Sequence, residues 1–310
     1  MLKINYEKAL EVFQDYVNLQ RCFTYIPNDK DALKKRTGID NKYIHSLEVV
    51  GDGQRIIKDL KFNESVISFS KLAFLDHDIG RFQQITLTGN FNDHDLENKL
   101  GIKNHGELGK QVLEKGILKE QIPDTRIFDE AITTIVKNHV TGLSTNEQLQ
   151  ILGSDILKNE DIYEIFKNGD LKTKHDIVIA MTQIVQDVDR LDIYHQILSN
   201  RWSPTKSEFD VPKEVLDMFY KGKYLNIAEL RKQGLWNDNV GELVRLSFIN
   251  QMRLYSVAKL ILDEDIIMKL KRKRNNDKVN EAFDYTQELL KSMLDNSEDG
   301  ITIKKLTKNN

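Results

Sequence analysis

The chain has 310 residues, of which 40% are hydrophobic and 30% are charged, and its formal net charge is -3. This composition is typical of a soluble globular protein with enough apolar residues for a full core, and the charge balance disfavours DNA or RNA as the main ligand. The single cysteine, Cys22, excludes internal disulfides and thiolate metal clusters, so we expect a reducing, cytoplasmic setting.

The first segment, MLKINYEKALEVFQDYV, mixes acidic residues and lysines with apolar residues at helical spacing. It therefore predicts an amphipathic first helix rather than a signal peptide, whose apolar stretch would be continuous. No apolar run in the sequence reaches the length of a membrane-spanning helix, so we expect no membrane partner.

Apolar residues recur at three- and four-residue spacing along most of the chain, which predicts an all-α fold. Two clear helices are IFDEAITTIVKNH, which ends at His139, and IVIAMTQIVQDVDRLDIYHQIL, which is apolar around most of its circumference. The segment from Arg81 to Asn104 is instead predicted to be loop-rich, with strand-like alternation over 85–91. Its length makes it a candidate substrate-covering insertion.

The four prolines of the chain suggest its organisation, because two of them lie in RWSPTKSEFDVP, residues 201–212. Prolines interrupt helices, so this segment predicts a boundary between a helical core, residues 1–200, and a C-terminal helical block, residues 201–296. Residues 297–310 form a polar tail that we expect to fray.

The stretch LAFLDHDIGRF places His77 and Asp78 at the end of an apolar helical run. A carboxylate that enters a core is costly unless it is paired or coordinated, and imidazole and carboxylate both bind divalent cations. The pair therefore indicates a metal site, with Gly80 predicted to end the helix. His45, in KYIHSLEVV, is by itself typical of a structural core residue.

Further candidate ligands lie downstream. His105 follows a capping Asn104, in a first helical turn where the helix dipole favours the neutral, ligating imidazole. His139 ends the apolar stripe of its helix and should face the interior. The stretch QDVDRLD offers Asp187 and Asp189, which lie about 200° apart around a helix and so cannot bind the same ion. Periodicity does not choose between them.

The order of these residues, H…HD…D, resembles that of the HD-domain superfamily of metal-dependent phosphohydrolases. The resemblance covers roughly residues 35–200 and includes KYIHSLEVV, LAFLDHDIGRFQQ, NHGELG and QIVQDVDRLDIY. It implies an HD-domain helical core with an additional C-terminal helical block, and it favours the second aspartate of QDVDRLD because Arg-Leu follows it. The basic set of metal ligands implied by the resemblance is His45, His77, Asp78 and Asp189.

Binuclear members of the superfamily place two further histidines between the HD pair and the last aspartate, where His105 and His139 fall. This resemblance implies two divalent metal ions, of Mn, Fe, Mg or a similar type, bridged by Asp78. Arg81 occupies the place where the HD-GYP phosphodiesterases carry a lysine, so it resembles a phosphate clamp. Lys137 is a candidate contact to the phosphate or the leaving group.

Three further acidic positions lie near the motifs of the HD-domain superfamily. Asp76 stands where many HD proteins have leucine, and we expect its side chain to face away from the site. A second HD dipeptide, His175-Asp176, lacks the apolar run before it and is predicted to be a helix start with solvent-facing residues. Asp192, one turn after Asp189, is predicted to orient a ligand histidine.

Together these features predict an enzyme, a metal-dependent phosphohydrolase or phosphodiesterase that acts through a metal-bridging hydroxide. Its expected partner is a small phosphorylated or nucleotide substrate, and a homo-oligomer is left open. The same ligands also fit a mixed-valent di-iron oxygenase of the HD fold. A third alternative is a regulatory or binding protein whose metal site is not catalytic.

Overall fold

The computed structural model describes residues 4–26, 29–60, 64–122, 126–140, 174–199, 210–272 and 276–297. Within these ranges the regular secondary structure is helical and includes no β-strand, which confirms the all-α prediction. None of the helices in the described ranges is both long enough and apolar enough to cross a membrane.

The chain divides into two compact units, Met1–Asp189 and Arg190–Asn310. The division falls inside the helix Lys174–Leu198, whereas most of the predicted boundary segment, 201–212, lies outside the described residues. The helices up to this point are α1 (Tyr6–Phe23), α2 (Lys30–Asp59), α3 (Glu64–Asp76), α4 (Ile79–Thr88), α5 (Asp93–Leu100), α6 (His105–Val112), α7 (Leu118–Gln121), α8 (Arg126–Asn138) and α9 (Lys174–Leu198), with a π-helical turn (Leu113–Ile117) between α6 and α7.

The first two helices form where polar caps precede apolar periodicity. The side chain of Asn5 accepts a hydrogen bond from the backbone N–H of Lys8 and caps α1, and Asp29 caps α2 in the same way. The buried face of α1 packs against α3, α4 and α7. The long helix α2 packs against α3 and α4, and this contact brings its midpoint, near His45, to the start of α4.

The segment from Arg81 to Asn104 is helical, so the prediction of a loop-rich insertion with strand-like character was wrong. It contains most of α4 and all of α5, and the glycines that end these helices, Gly89 and Gly101, have φ of 84° and 69°. The alternation in ITLT imitates a strand, but Phe82 and Ile85 are buried on one face of a helix. Tertiary packing overrides the local preference of β-branched residues here.

Gly80 lies inside α4, so the prediction that it ends the preceding helix was wrong. His77 and Asp78 form the short turn between α3 and α4. A Cβ on Gly80 would lie 2.2 Å from the backbone oxygen of His105 and 2.6 Å from the backbone nitrogen of Gly109. The glycine is therefore needed because α4 and α6 meet backbone to backbone next to the HD pair.

The second unit is also helical in its described residues. Its longest helix, α15, packs against α12, α13 and α14 and buries Val279, Phe283 and Leu290. Residues 298–310, most of the predicted polar tail, lie outside the described residues. The helices of this unit are α10 (Lys213–Tyr220), α11 (Ile227–Lys232), α12 (Asp238–Leu246), α13 (Tyr255–Asp263), α14 (Ile266–Lys271) and α15 (Asp277–Asp295), with a 3₁₀ turn (Ser247–Gln251) after α12.

Candidate metal centre

Six predicted ligands lie together in the first unit, brought there by α2, the α3–α4 turn, the start of α6, the end of α8 and α9. Five of them have at most 5% of their surface exposed, and the sixth, Asp189, exposes 25% of its side chain. Imidazole and carboxylate groups are rarely buried in such number without a binding role. The six residues are His45, His77, Asp78, His105, His139 and Asp189.

The first ligand group consists of His45, His77 and Asp189. The Nε2 atom of His45 lies 3.1 Å from both His77 Nε2 and Asp189 Oδ1, and His77 Nε2 lies 3.7 Å from the same oxygen. Two ligands with metal bonds of about 2.1 Å lie about 3.0 Å apart at a right angle and about 3.4 Å apart at the tetrahedral angle. The three atoms are thus spaced as ligands of one ion.

The second ligand group consists of Asp78, His105 and His139. Asp78 Oδ1 lies 3.3 Å from His105 Nε2 and 3.5 Å from His139 Nε2. Its other oxygen, Oδ2, faces the first group, at 3.3 Å from His45 Nε2 and 3.7 Å from His77 Nε2. Asp78 therefore presents one oxygen to each group, which is the arrangement of a bridging carboxylate.

Hydrogen bonds at Nδ1 set the tautomer of three of the histidines. Nδ1 of His77 and of His139 lies 2.7 and 2.6 Å from the carbonyl oxygen three residues earlier. Nδ1 of His105 lies 2.9 Å from Asp93 Oδ2. Because these oxygens only accept, each Nδ1 carries the hydrogen, and the neutral ring presents the lone pair of Nε2 to the centre.

With these tautomers, hydrogen-bond acceptors of the histidines face a hydrogen-bond acceptor of Asp78. The Nε2 lone pairs of His105 and His139 face the anionic Oδ1 of Asp78, which is repulsive unless a cation lies among them. Protonation of every ring would also remove the repulsion, but it would gather buried cations whose rings are only 5.0 to 5.3 Å apart. The donor set therefore fits divalent cations.

The two carboxylates of the centre have strongly shifted pKa values. Burial by itself would raise the pKa of Asp78, but the ammonium of Lys42, whose Nζ is 2.6 Å from Oδ2, lowers it well below its usual range. Burial likewise opposes ionisation of Asp189, and the ring of His45, whose Nε2 lies 3.1 Å from Oδ1, lowers its pKa well below the usual range. Both side chains are therefore ionised at neutral pH, as metal ligands must be.

The two aspartates of QDVDRLD point to different partners. Asp187 is fully buried and accepts a hydrogen bond from Gln183 Nε2 at 2.9 Å, one turn earlier on α9. Asp189 faces His45 and belongs to the first ligand group. The rotation of α9 is fixed nearby, because Gln186 Nε2 donates to the backbone oxygen of His139 at 2.8 Å.

Arg81 lies beside the second ligand group. Its Nε is 3.7 Å from Asp78 Oδ1, and its Nη1 donates to the Phe91 carbonyl at 2.7 Å, to Asp93 at 3.1 Å and to Gln84 at 2.8 Å. Its Nη2 makes no hydrogen bond within the described part of the chain. The guanidinium is thus held next to the centre with one donor edge left, and its role as a phosphate clamp stays a prediction.

The remaining predicted residues have different surroundings. Lys137 is half-buried in the last turn of α8 and forms no ion pair with any described residue, so its catalytic role stays a prediction. The side chains of His175 and Asp176, the second HD dipeptide, lie outside those described. His94 is exposed on α5, where Asn98 Nδ2 lies 3.1 Å from its ring, and His195 contacts Glu264 within the second unit.

Two residues of the centre were missed from the sequence. Lys42 lies one turn before His45 on α2, and its Nζ is 2.6 Å from Asp78 Oδ2. Asp93 accepts a hydrogen bond from Nδ1 of His105 and so orients a ligand histidine. Asp192 accepts a hydrogen bond from Gln196 Nε2, and its role in orienting a ligand stays a prediction. Lys42 could have been predicted, because it lies three residues before the candidate ligand His45 on the same helix. No pattern in the sequence links Asp93 to His105, which it orients.

Asp93 should therefore control how well the second ligand group binds metal. Burial opposes its ionisation, but His105 and Arg81 lower its pKa to about 2, so it is a charged acceptor at neutral pH. We expect Asp93→Asn to weaken metal binding by about 10- to 100-fold, measured by calorimetric titration. Asp95→Asn, on the same helix turn but bonded to Asn90, is the matched control and should bind as the wild type does. Equal affinities for both variants would contradict an orienting role.

Asp76 precedes His77 but is paired with Gln121, which donates to its Oδ1 at 3.0 Å. The residue is fully buried, and burial raises its pKa to about 7 although this hydrogen bond lowers it. Asp76 Oδ2 and Gln121 Oε1 are both buried without a partner among the described residues. A proton on Oδ2 would turn it into a donor, so the fold favours the neutral acid.

Asp76 should consequently lower stability at alkaline pH. Its folded pKa of about 7 lies above the ordinary value of 3.8, so its stabilising contribution is complete below pH 3.8 and is lost as the pH rises through 7. The difference between these two pKa values sets an upper limit of about 4 kcal/mol, and we expect Asp76→Asn to be more stable than the wild type by about 2 kcal/mol at pH 8.5. Urea unfolding with chelator present measures this difference, which should fall by more than half between pH 8.5 and pH 5. A constant difference across this range would contradict the assignment.

Comparison of the chain with models of protein families, with curated proteins and with solved structures gave no match. The resemblance to the HD-domain superfamily therefore stays a prediction. It rests on the order of the motifs along the chain.

Proposed function

We propose that the protein is a metal-dependent phosphohydrolase or phosphodiesterase that acts on a phosphate ester of a nucleotide-like small molecule. The observation that carries this proposal is the position of Asp78, whose two oxygens face two separate ligand groups at 3.3 to 3.7 Å. Two divalent cations held there would supply an acidified water as nucleophile and positive charge for the phosphoryl oxygens.

The ligands of each cation follow from the two groups. His45, His77 and Asp189 would hold one ion, His105 and His139 would hold the other, and Asp78 would contact both. Among the six described ligands two are carboxylates, Asp78 and Asp189, and their two negative charges would leave the four positive charges of two divalent ions partly uncompensated. A phosphate ester, which is anionic, complements such a site better than a neutral substrate does.

Two cationic side chains support the choice of a phosphate ester. Arg81 is held by Asp93 and the Phe91 carbonyl, which leaves its Nη2 edge to bind phosphoryl oxygens without a further ordering cost. Lys137, two residues before the ligand His139 and half-buried, is the proposed contact to the leaving oxygen. Both roles are carried by the side chains of this chain and can be tested by substitution.

The decisive experiment is an activity panel with a metal-exchanged protein. The chain, stripped with chelator and reloaded with Mn²⁺ or Fe²⁺, is assayed against nucleoside monophosphates, cyclic nucleotides and dinucleotides. We expect hydrolysis of at least one class, its loss on chelation, and about two ions per chain by elemental analysis. A loaded protein that hydrolyses none of them would contradict the proposal, and oxygen consumption by the iron form would favour the di-iron oxygenase.

A further inference from the structure

Lys42 contacts the centre but has no part in the hydrolysis proposed above. It lies on α2 one turn before His45, and its ammonium is 2.6 Å from Asp78 Oδ2. This is the same oxygen that faces His45 and His77 at 3.3 and 3.7 Å. A cationic side chain thus already contacts the atom that would bind the ion of the first ligand group.

The ion pair combines a fixed partner with a movable one. Asp78 has 4% of its side chain exposed and lies in a short turn held between two helices. Lys42 has 23% exposed, and its ammonium lies 6.0 Å from the centroid of the Phe91 ring at the rim of the centre. The long lysine stem can turn toward solvent, whereas Asp78 cannot move without disturbing α3 and α4.

We propose that Lys42 is an internal counter-cation of Asp78, which competes with the metal ion of the first ligand group and is released toward solvent when that ion binds. The inference rests on the proposed metal centre and adds the regulation of its occupancy. Two cations that contact one carboxylate oxygen repel each other at close range, and partial burial leaves that repulsion poorly screened. Lys42 therefore neutralises Asp78 in the metal-free protein and weakens metal binding to the first group.

Metal titration of a charge-removal variant tests the competition. Lys42→Met keeps the length of the stem and removes the charge, and Mn²⁺ is titrated into chelator-stripped protein by calorimetry. We expect about tenfold tighter binding at one of the two sites and little change at the other. Lys42→Arg, which keeps the charge, should remain close to the wild type. Unchanged or weaker binding by Lys42→Met would overturn the proposal.

Lys8 offers a matched control. Lys8 Nζ is 3.0 Å from Glu11 on the exposed side of α1, so Lys8→Met also breaks a lysine–carboxylate pair on a helix of the same unit. It contacts none of the ligand residues, and we expect its Mn²⁺ affinity to equal that of the wild type. An equal gain in both variants would show a general effect of net charge and would overturn the specific role of Lys42.

A second measurement uses the wild-type protein and does not depend on the folding of a variant. Reductive methylation of lysines, followed by peptide mass spectrometry, reports the exposure of each ammonium. We expect the modification rate of Lys42 to rise several-fold when Mn²⁺ is added, with no change at Lys8. A constant rate at Lys42 would overturn the proposed release.

The two proposals fail in different ways in these experiments. Neither calorimetry nor methylation requires turnover, so a chain that binds Mn²⁺ but hydrolyses nothing overturns the phosphohydrolase proposal and leaves the role of Lys42 measurable. A wild-type chain that binds neither Mn²⁺ nor Fe²⁺ overturns both.

Discussion

Replacing Asp78 by asparagine is expected to weaken metal binding at least about a hundredfold and to abolish the proposed hydrolysis. Residues that only orient a ligand are worth about 10- to 100-fold in metal affinity, and a shared ligand should exceed this range. Asp78 presents Oδ1 to His105 and His139 and Oδ2 to His45 and His77, so a single change removes a charged ligand from both groups. Elemental analysis after dialysis and kcat/KM for the substrate found in the panel measure the two effects.

The matched control is Asp76→Asn, the same substitution two residues earlier. Asp76 is equally buried but is bonded to Gln121, so this variant should keep both ions and its activity. Asp189→Asn and His139→Ala each alter only one ligand group, and each should lose one ion of the two. Retention of two ions per chain by Asp78→Asn would show that this residue does not bridge the groups.

The long amphipathic helices and most of the candidate ligands could be predicted because their signals are local. The apolar period of α8 and α9 extends over several turns, and the histidine-aspartate pair interrupts an apolar run at an abrupt helix end. The choice between Asp187 and Asp189 as the metal ligand could not be made from periodicity, because α9 is apolar around most of its circumference and no single face is marked as buried. Its rotation depends on tertiary contacts such as the hydrogen bond from Gln186 to the end of α8.

The residues that the sequence analysis missed act across segments that are distant along the chain. Lys42 meets Asp78 from α2, and Asp93 reaches His105 from the start of another helix. Their partners are set by how the helices pack, which no pattern within one segment records. The same reason explains the wrong prediction for Arg81 to Asn104. The polar capping residues and the β-branched residues of this segment are typical of loops and strands, and the buried face of its helix becomes evident only from the packing.

Gly80 shows how that packing determines the site. Its α-carbon lies where α4 and α6 are in backbone contact, and α6 begins with the ligand His105. Gly106 is packed as closely against α8, since a Cβ there would lie 2.6 Å from the Lys137 carbonyl oxygen, two residues before His139. These glycines thus allow α4, α6 and α8 to approach closely enough for His105 and His139 to face Asp78.

Gly80→Ala is therefore expected to destabilise the fold by at least about 3 kcal/mol, because the added methyl group meets backbone atoms that have no rotamer to change. Gly51→Ala is the matched control, since it lies within α2 and has no atom within 4 Å of an added Cβ. That variant should be as stable as the wild type or more stable by about 0.5 to 1 kcal/mol, the usual gain of alanine over glycine in a helix. Urea unfolding measures the stability of both variants.

The folded fraction of Gly80→Ala should also bind fewer ions, because relief of the clash moves His105 away from Asp78. Similar stabilities for the two variants would show that α4 and α6 do not meet at Gly80, and the positions of the ligands in the second group would then need another cause.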